Sequence, residues 1–138
     1  MELRKASRQD LMKVCRAIGY KTNLPYIRVE DALSDFLHDR LYVVAEGEKV
    51  FVTVSLVEEP DYGYTAIKRL CILNKRNCGK GLARFALREL QKVVVGKKIG
   101  ATPWVDNIAM RNLLESEGFA VQYVFQEVWC FYVKEVRV

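Results

Sequence analysis

The chain has 138 residues, 51% of them hydrophobic and 28% charged, enough to bury a core and too balanced for a disordered or fibrous protein. Its net charge of +5 is spread along the sequence with no block of five or more basic residues and no recognised reader motif; such a field would equally help capture a small polyanionic cofactor, so composition alone does not separate the two, and the overall expectation is no nucleic-acid partner. No apolar run approaches the ~20 residues that span a bilayer, and no apolar segment follows the charged N-terminus, so the expectation is a cytoplasmic protein with no membrane partner.

Glu2 to Lys5 reads as a short first strand. Ser7-Arg8-Gln9-Asp10 reads as a helix entry, with Ser7 as cap and an acid three residues on, and Leu11, Val14, Cys15 and Ile18 recur at helical spacing. Gly19 to Tyr26, broken by Asn23 and Pro25, reads as a loop. A second helix follows from about Val29, with Val29, Ala32, Leu33, Phe36 and Leu37 on its apolar face and acids on the other.

Leu41 to Glu46 and Lys49 to Glu58 are predicted strands joined by a Gly47-Glu48 hairpin turn. Pro60-Asp61-Tyr62-Gly63 makes the next turn before a strand over Tyr64 to Leu73. An amphipathic helix then continues to about Val94, burying Ala83, Ala86, Leu87, Leu90 and Val94. Ala101 to Val105 is the fifth strand. Asp106 or Asn107 caps a short helix that closes at Gly118, and strands over Ala120 to Phe125 and Glu127 to Val136 finish the chain. Trp104 and Trp129 read as core aromatics. The expectation is one domain over residues 1–138, in the order β-α-α-β-β-β-α-β-α-β-β.

Several chemistries find no support. The four cysteines are scattered without a CxxC pair, and His38, the one histidine, lies in a helical pattern between Asp35 and Asp39, so no metal site is expected. A nucleophile–histidine system would have to use that same solvated His38.

The most informative stretch is Arg76-Asn77-Cys78-Gly79-Lys80-Gly81-Leu82-Ala83, between a strand and a helix. Glycines one residue apart at a helix start leave main-chain N–H groups bare, where the helix dipole favours an anion. The loop is therefore either a phosphate cradle or an ordinary tight strand-to-helix turn. It is not a nucleotide P-loop, because Leu82 stands where a lysine and hydroxyl should follow, nor a dinucleotide fingerprint, because Arg84 replaces the third glycine.

Arg76-x-x-Gly79-x-Gly81 resembles the acyl-CoA signature of the GCN5-related N-acetyltransferase (GNAT) family. The later block from Asn107 to Gly118-Phe119 is similar to that family's late helix, and the element order matches along essentially the whole chain. The resemblance implies an α/β (α+β) GNAT-like fold, a mixed, mostly antiparallel seven-stranded sheet with four helices, splayed between strands four and five. It implies acetyl-CoA or coenzyme A as co-substrate, with the diphosphate on main-chain N–H groups of Cys78, Gly79, Lys80, Gly81, Leu82 and Ala83 beside Arg76 and Asn77. The pantetheine arm would run along Leu70, Cys71 and Ile72, and Asn107 and Asn112 would face the cofactor. An N–H near Cys71 or Ile72 would polarise the acyl carbonyl, and a primary amine of a small molecule or peptide would attack the thioester directly.

The chain departs from the family where protons are handled. Leu114 stands where many members carry a tyrosine, and a glutamate found on the fourth strand in some members would fall at Thr65 or Ala66. Tyr123 and Glu58, with Glu59 and Asp61 near the latter, are the substitute catalytic candidates. Cys78 is read as a small residue tolerated in a phosphate loop, with no covalent role. The expected activity is N-acetyl transfer by a monomer or homodimer; the alternative is a non-catalytic acyl-CoA-binding or regulatory domain.

Overall fold

The computed structural model describes residues 1–20 and 27–137. Among these described residues the elements are β1 (Glu2–Lys5), α1 (Arg8–Tyr20), α2 (Val29–Leu37), β2 (Leu41–Glu46), β3 (Lys49–Glu59), β4 (Tyr64–Ile72), α3 (Leu82–Val93), β5 (Lys98–Ala101), α4 (Ile108–Ser116), β6 (Ala120–Phe125) and β7 (Trp129–Glu135), with a 3₁₀ turn over Lys75–Asn77. The described strands form a seven-stranded mixed sheet in the order β1-β2-β3-β4-β5-β7-β6. With four helices, this is the architecture expected from the resemblance.

The chain divides into two compact units, residues 1–56 with 68–89 and residues 57–67 with 90–138. In the first unit β1 and β2 pair antiparallel, as do β2 and β3 with a bulge at Val44/Ala45. Successive side chains of a strand point to opposite faces. Val43 and Ala45 accordingly pack with Val14 of α1 and Ala32 of α2, while Val44 and Val52 pack with Leu82 and Ala86 of α3.

In the second unit the N-terminal part of β4 pairs in parallel with β5, from Thr65↔Ile99 to Ile67↔Ala101. There the pairing ends, which is the splay between strands four and five. β5 and β6 each pair antiparallel with β7. Tyr132 is fully buried; its hydroxyl donates to Glu115 Oε1 (2.8 Å) and accepts from Arg111 Nε (3.2 Å).

The predicted cap of α1 is present as a reciprocal pair. Ser7 Oγ accepts from Asp10 N–H, Ser7 N–H donates to Asp10 Oδ2, both at 3.1 Å, and Arg4 grips the same carboxylate through Nε (3.2 Å) and Nη2 (3.0 Å). The helix runs on to Tyr20 through part of the expected loop; the rest of that loop, residues 21–26, lies outside the described residues.

Three expectations are corrected. On α2 the buried side chains are Ala32 and Asp35, while Val29, Leu33 and Leu37 are exposed, because Asp35 is drawn inward by partners on β3 and β4. The fifth strand is Lys98–Ala101 rather than 101–105, since Pro103 has no N–H to continue a ladder and Trp104 keeps only an isolated bridge to Trp129. Trp104 is therefore 42% exposed, edge-on to Trp129 at 5.5 Å, and is not a core residue.

Burial works to raise the Asp10 pKa, but the hydrogen bonds from Arg4 and Ser7 outweigh it and hold the carboxyl below its ordinary value. A lowered folded pKa stabilises above the unfolded value, near 3.9, and that contribution fades as pH falls through the folded value. Asp10→Asn is expected to cost stability at pH 7, and loss of the Ser7 cap in Ser7→Ala about 1 kcal/mol. Chemical unfolding of native and Asp10→Asn protein between pH 7 and pH 2 checks the first: the gap narrows below pH ~4.

Candidate active site

β4 leads into the glycine loop through a short, self-braced connection. Leu73 N–H donates to Phe51 O (2.9 Å) and its side chain is buried. Asn74 then caps the 3₁₀ turn, its Oδ1 accepting from Arg76 N–H at 3.1 Å. Asn77 N–H and Cys78 N–H turn back to Asn74 O (2.9 Å) and Lys75 O (3.1 Å).

Gly79 and Gly81 follow with φ of +80° and +76°. This left-handed backbone costs a residue with a Cβ about 1–2 kcal/mol, so both positions call for glycine. A Cβ built on either would meet nothing within 4 Å, so the loop is open on the side where a side chain would project. Gly81 O accepts from Phe85 N–H (3.0 Å), which opens α3. The N–H groups of a helix's first turn have no carbonyl partner within the helix and carry the positive end of its dipole. No acidic residue occupies the first turn of α3, and Lys75, Arg76, Cys78 and Lys80 are exposed.

The loop is anchored from beneath. Leu82 is 6% exposed and packs with Val44, Val52 and Ala86, against which Leu70, Ile72 and Phe85 also lie. The predicted cofactor residues from Leu70 to Ile72 and from Arg76 to Ala83 thus fall on one continuous strand–loop–helix segment of the first unit. Cys71, half-buried on β4, has its thiol pushed up to about 11, by burial first and by proximity to Cys78 second.

An arrangement the sequence reading missed lies in the same unit. Arg69 of β4 donates from Nε to Asp35 Oδ2 (2.9 Å) and from Nη2 to Oδ1 (2.8 Å), and Ser55 Oγ donates to Asp35 Oδ2 at 2.6 Å. Asp35 sits 34 residues from Arg69, in a helical pattern that places it among solvated acids, and nothing local marks the partnership.

The remaining candidates belong to the second unit. Asn107 is the predicted cap of α4, its Oδ1 accepting from Met110 N–H at 3.2 Å; it and Asn112 are exposed. Leu114 is fully buried, so that position holds packed hydrocarbon. Tyr123 is 58% exposed on β6, its ring 5.4 Å from Phe131 and 5.6 Å from Phe125. Glu58 is exposed at the end of β3, 3.9 Å from Lys97, and helps line an open groove of about 710 Å³ with Glu59, Tyr64, Thr65, Lys97 and Lys98. No glycine-loop residue lines that groove.

Thiol labelling at pH 8 is expected to modify exposed Cys78 first and to leave Cys71 largely thiol, and so slow, until pH nears 11; mass spectrometry of the labelled peptides reads the order.

No protein-family model matches the chain, and no curated protein matches it. Solved structures do. A GNAT-family acetyltransferase from Streptococcus agalactiae superposes with a TM-score of 0.79 at 18% identity, over 97% of this chain and 94% of that one. The ribosomal-protein-S18-alanine N-acetyltransferase from Escherichia coli gives 0.74 at 15%, over 99% and 94%. Naa50 of Arabidopsis thaliana, solved with the bisubstrate analogue CoA-Ac-MVNAL, gives 0.71 at 10%, over 97% of each chain.

Proposed function

We propose that this chain, which has the fold of the GCN5-related N-acetyltransferases, is an acyl-CoA-dependent N-acyltransferase, moving an acetyl group from acetyl-CoA to a primary amine of a small molecule or peptide. The observation that carries the reading is the glycine loop: left-handed glycines opening α3 after β4 and its short connection, with exposed cations and no first-turn acid. Those features fit a diphosphate. Main-chain N–H donors supply geometry, the dipole and the side chains of Lys75, Arg76 and Lys80 supply charge, and the missing Cβ atoms leave room.

Coenzyme A would bring an acyl group already activated as a thioester. The residues from Cys78 to Ala83, with Arg76 and Asn77, would hold its diphosphate. Leu70, Cys71 and Ile72 would offer main-chain groups along the part of β4 that has left β5, and Asn107, the cap of α4, and Asn112 within that helix are proposed as further cofactor contacts. The chain's contribution is chiefly to position and polarise, since a positioned amine reacts with a thioester without a covalent enzyme intermediate. Cys71 is unsuited to act as a nucleophile, because a thiol with a pKa of about 11 is almost wholly protonated at neutral pH. Tyr123 and Glu58 are the groups proposed to move protons.

One observation favours a second reading, a domain that binds acyl-CoA without turning it over: the completely buried Leu114, where the family's tyrosine would stand. Loss of a general acid typically costs about 10²–10⁴ in rate, so a panel of amines with acetyl-CoA and a thiol-release assay separates slow enzyme from binder.

Acetyl-CoA at 100 times its dissociation constant is expected to stabilise the protein by about 2.7 kcal/mol, read as a rise in melting temperature. No rise would remove both readings. Gly81→Val is expected to weaken acetyl-CoA binding at least ~10-fold while leaving the circular-dichroism spectrum unchanged, because a β-branched residue neither tolerates that φ nor leaves the loop open. Undiminished affinity in Gly81→Val would remove the cradle.

A further inference from the structure

Among the described residues four non-glycine positions have a left-handed φ: Asp39, Arg69, Gln126 and Glu127. Asp39, Gln126 and Glu127 lie in turns, where such backbone is ordinary. Arg69 lies inside β4, at φ +54°. A residue with a Cβ holds that conformation within a strand only when its surroundings over-determine it.

What over-determines it is its own side chain. Arg69 meets Asp35 of α2 through paired contacts of 2.9 and 2.8 Å, and the Asp35 side chain is only 5% exposed. Ser55 of β3 fixes the same carboxylate from another direction. A planar guanidinium on a carboxylate leaves little angular freedom, and a carboxylate this buried holds its partner firmly.

The kink falls at a particular place. Pairing of β4 with β5 ends at Ile67, and Arg69 turns left-handed two residues later. Beyond it Leu70 and Ile72 pack in the α3 cluster, whereas Leu73 packs with Val14 and Ala32 of the opposite cluster.

We propose that the Arg69–Asp35 ion pair, locked by Ser55, is a positioning device: it holds the kink in β4 that aims the main-chain groups of Leu70, Cys71 and Ile72 at the acyl-pantetheine arm. The inference rests on the coenzyme reading above, and it adds residues outside the glycine loop that tune one part of the ligand only. The diphosphate cradle, braced by Asn74 and Leu82, does not depend on the pair.

Two probes separate these parts: acetyl-CoA, and 3′-phosphoadenosine 5′-diphosphate, which carries the diphosphate but no pantetheine. In Asp35→Asn, which keeps side-chain size and removes the charge, calorimetric titration should show acetyl-CoA affinity falling about tenfold or more. Affinity for the nucleotide should stay within about twofold, a split that general loosening would not produce. Equal losses for both probes, or no loss for either, would overturn the proposal. If Asp35→Asn does not fold, Arg69→Gly carries the same comparison, since glycine allows the kink without enforcing it.

Should the native protein bind neither probe, the coenzyme reading falls and the kink is judged separately. Hydrogen exchange of unliganded Asp35→Asn, or of Arg69→Gly if that is the variant that folds, would then show faster exchange confined to the peptide holding Leu70 to Ile72. Unchanged exchange there would sink the positioning role.

Discussion

A strand that loses a neighbour partway along its length is the constraint around which the proposed site is built. β4 pairs with β5 only as far as Ile67, yet it continues to Ile72. Main-chain donors and acceptors must find partners or water, so a strand that outruns its ladder has polar groups to offer. Two residues past the last pair the backbone turns left-handed at Arg69 and then delivers Leu73 to a buried position and Asn74 to the cap of the connecting turn. Arg69 and Asp35 hold the turn at Arg69 itself, while Leu73 and Asn74 are held by their own hydrogen bonds with Phe51 and Arg76, and α2 gives up a regular apolar face to the pair. The exposed Leu33 and Leu37 are the consequence of turning an acid inward instead.

The loop beyond shows the same economy of side-chain chemistry. Its useful groups are main-chain N–H donors, exposed by glycines and favoured electrostatically by the start of α3. Exposed Lys75, Arg76 and Lys80 add charge without defining a rigid pocket. Such a surface suits the proposed polyanion by charge and main-chain geometry. A reaction supported in this way needs a substrate that arrives activated, as a thioester does, because the cysteine nearest the proposed acyl end is protonated at neutral pH.

The second unit has a different character. Its partly buried polar interactions, Tyr132 with Glu115 and Arg111, and Lys134 with Gln91 and the carbonyl of Glu117, bind strand β7 to helices α3 and α4. These contacts lie within the unit and read as scaffold. Tyr123 and Glu58 stand outside those networks, exposed, where a proton-transfer group would also have access to solvent.

Element order, the Ser7–Asp10 cap, the Asn107 cap and the glycine loop were all legible in the sequence, because each rests on residues within four positions of one another. Helical periodicity and capping act over one turn, and a glycine pair acts on its own backbone. The inward turn of Asp35, the left-handed Arg69, the early end of β5 and the exposure of Trp104 were not legible. Asp35 meets Arg69 across 34 residues, and its other partner, Ser55, across 20. β5 stops short because Pro103 has no N–H to continue the ladder, a local signal that the surrounding apolar run obscured, and Trp104 is left with only an isolated bridge to Trp129. Short-range chemistry wrote the parts into the chain, and only long-range pairing of charge and main chain decided how β4 bends between them.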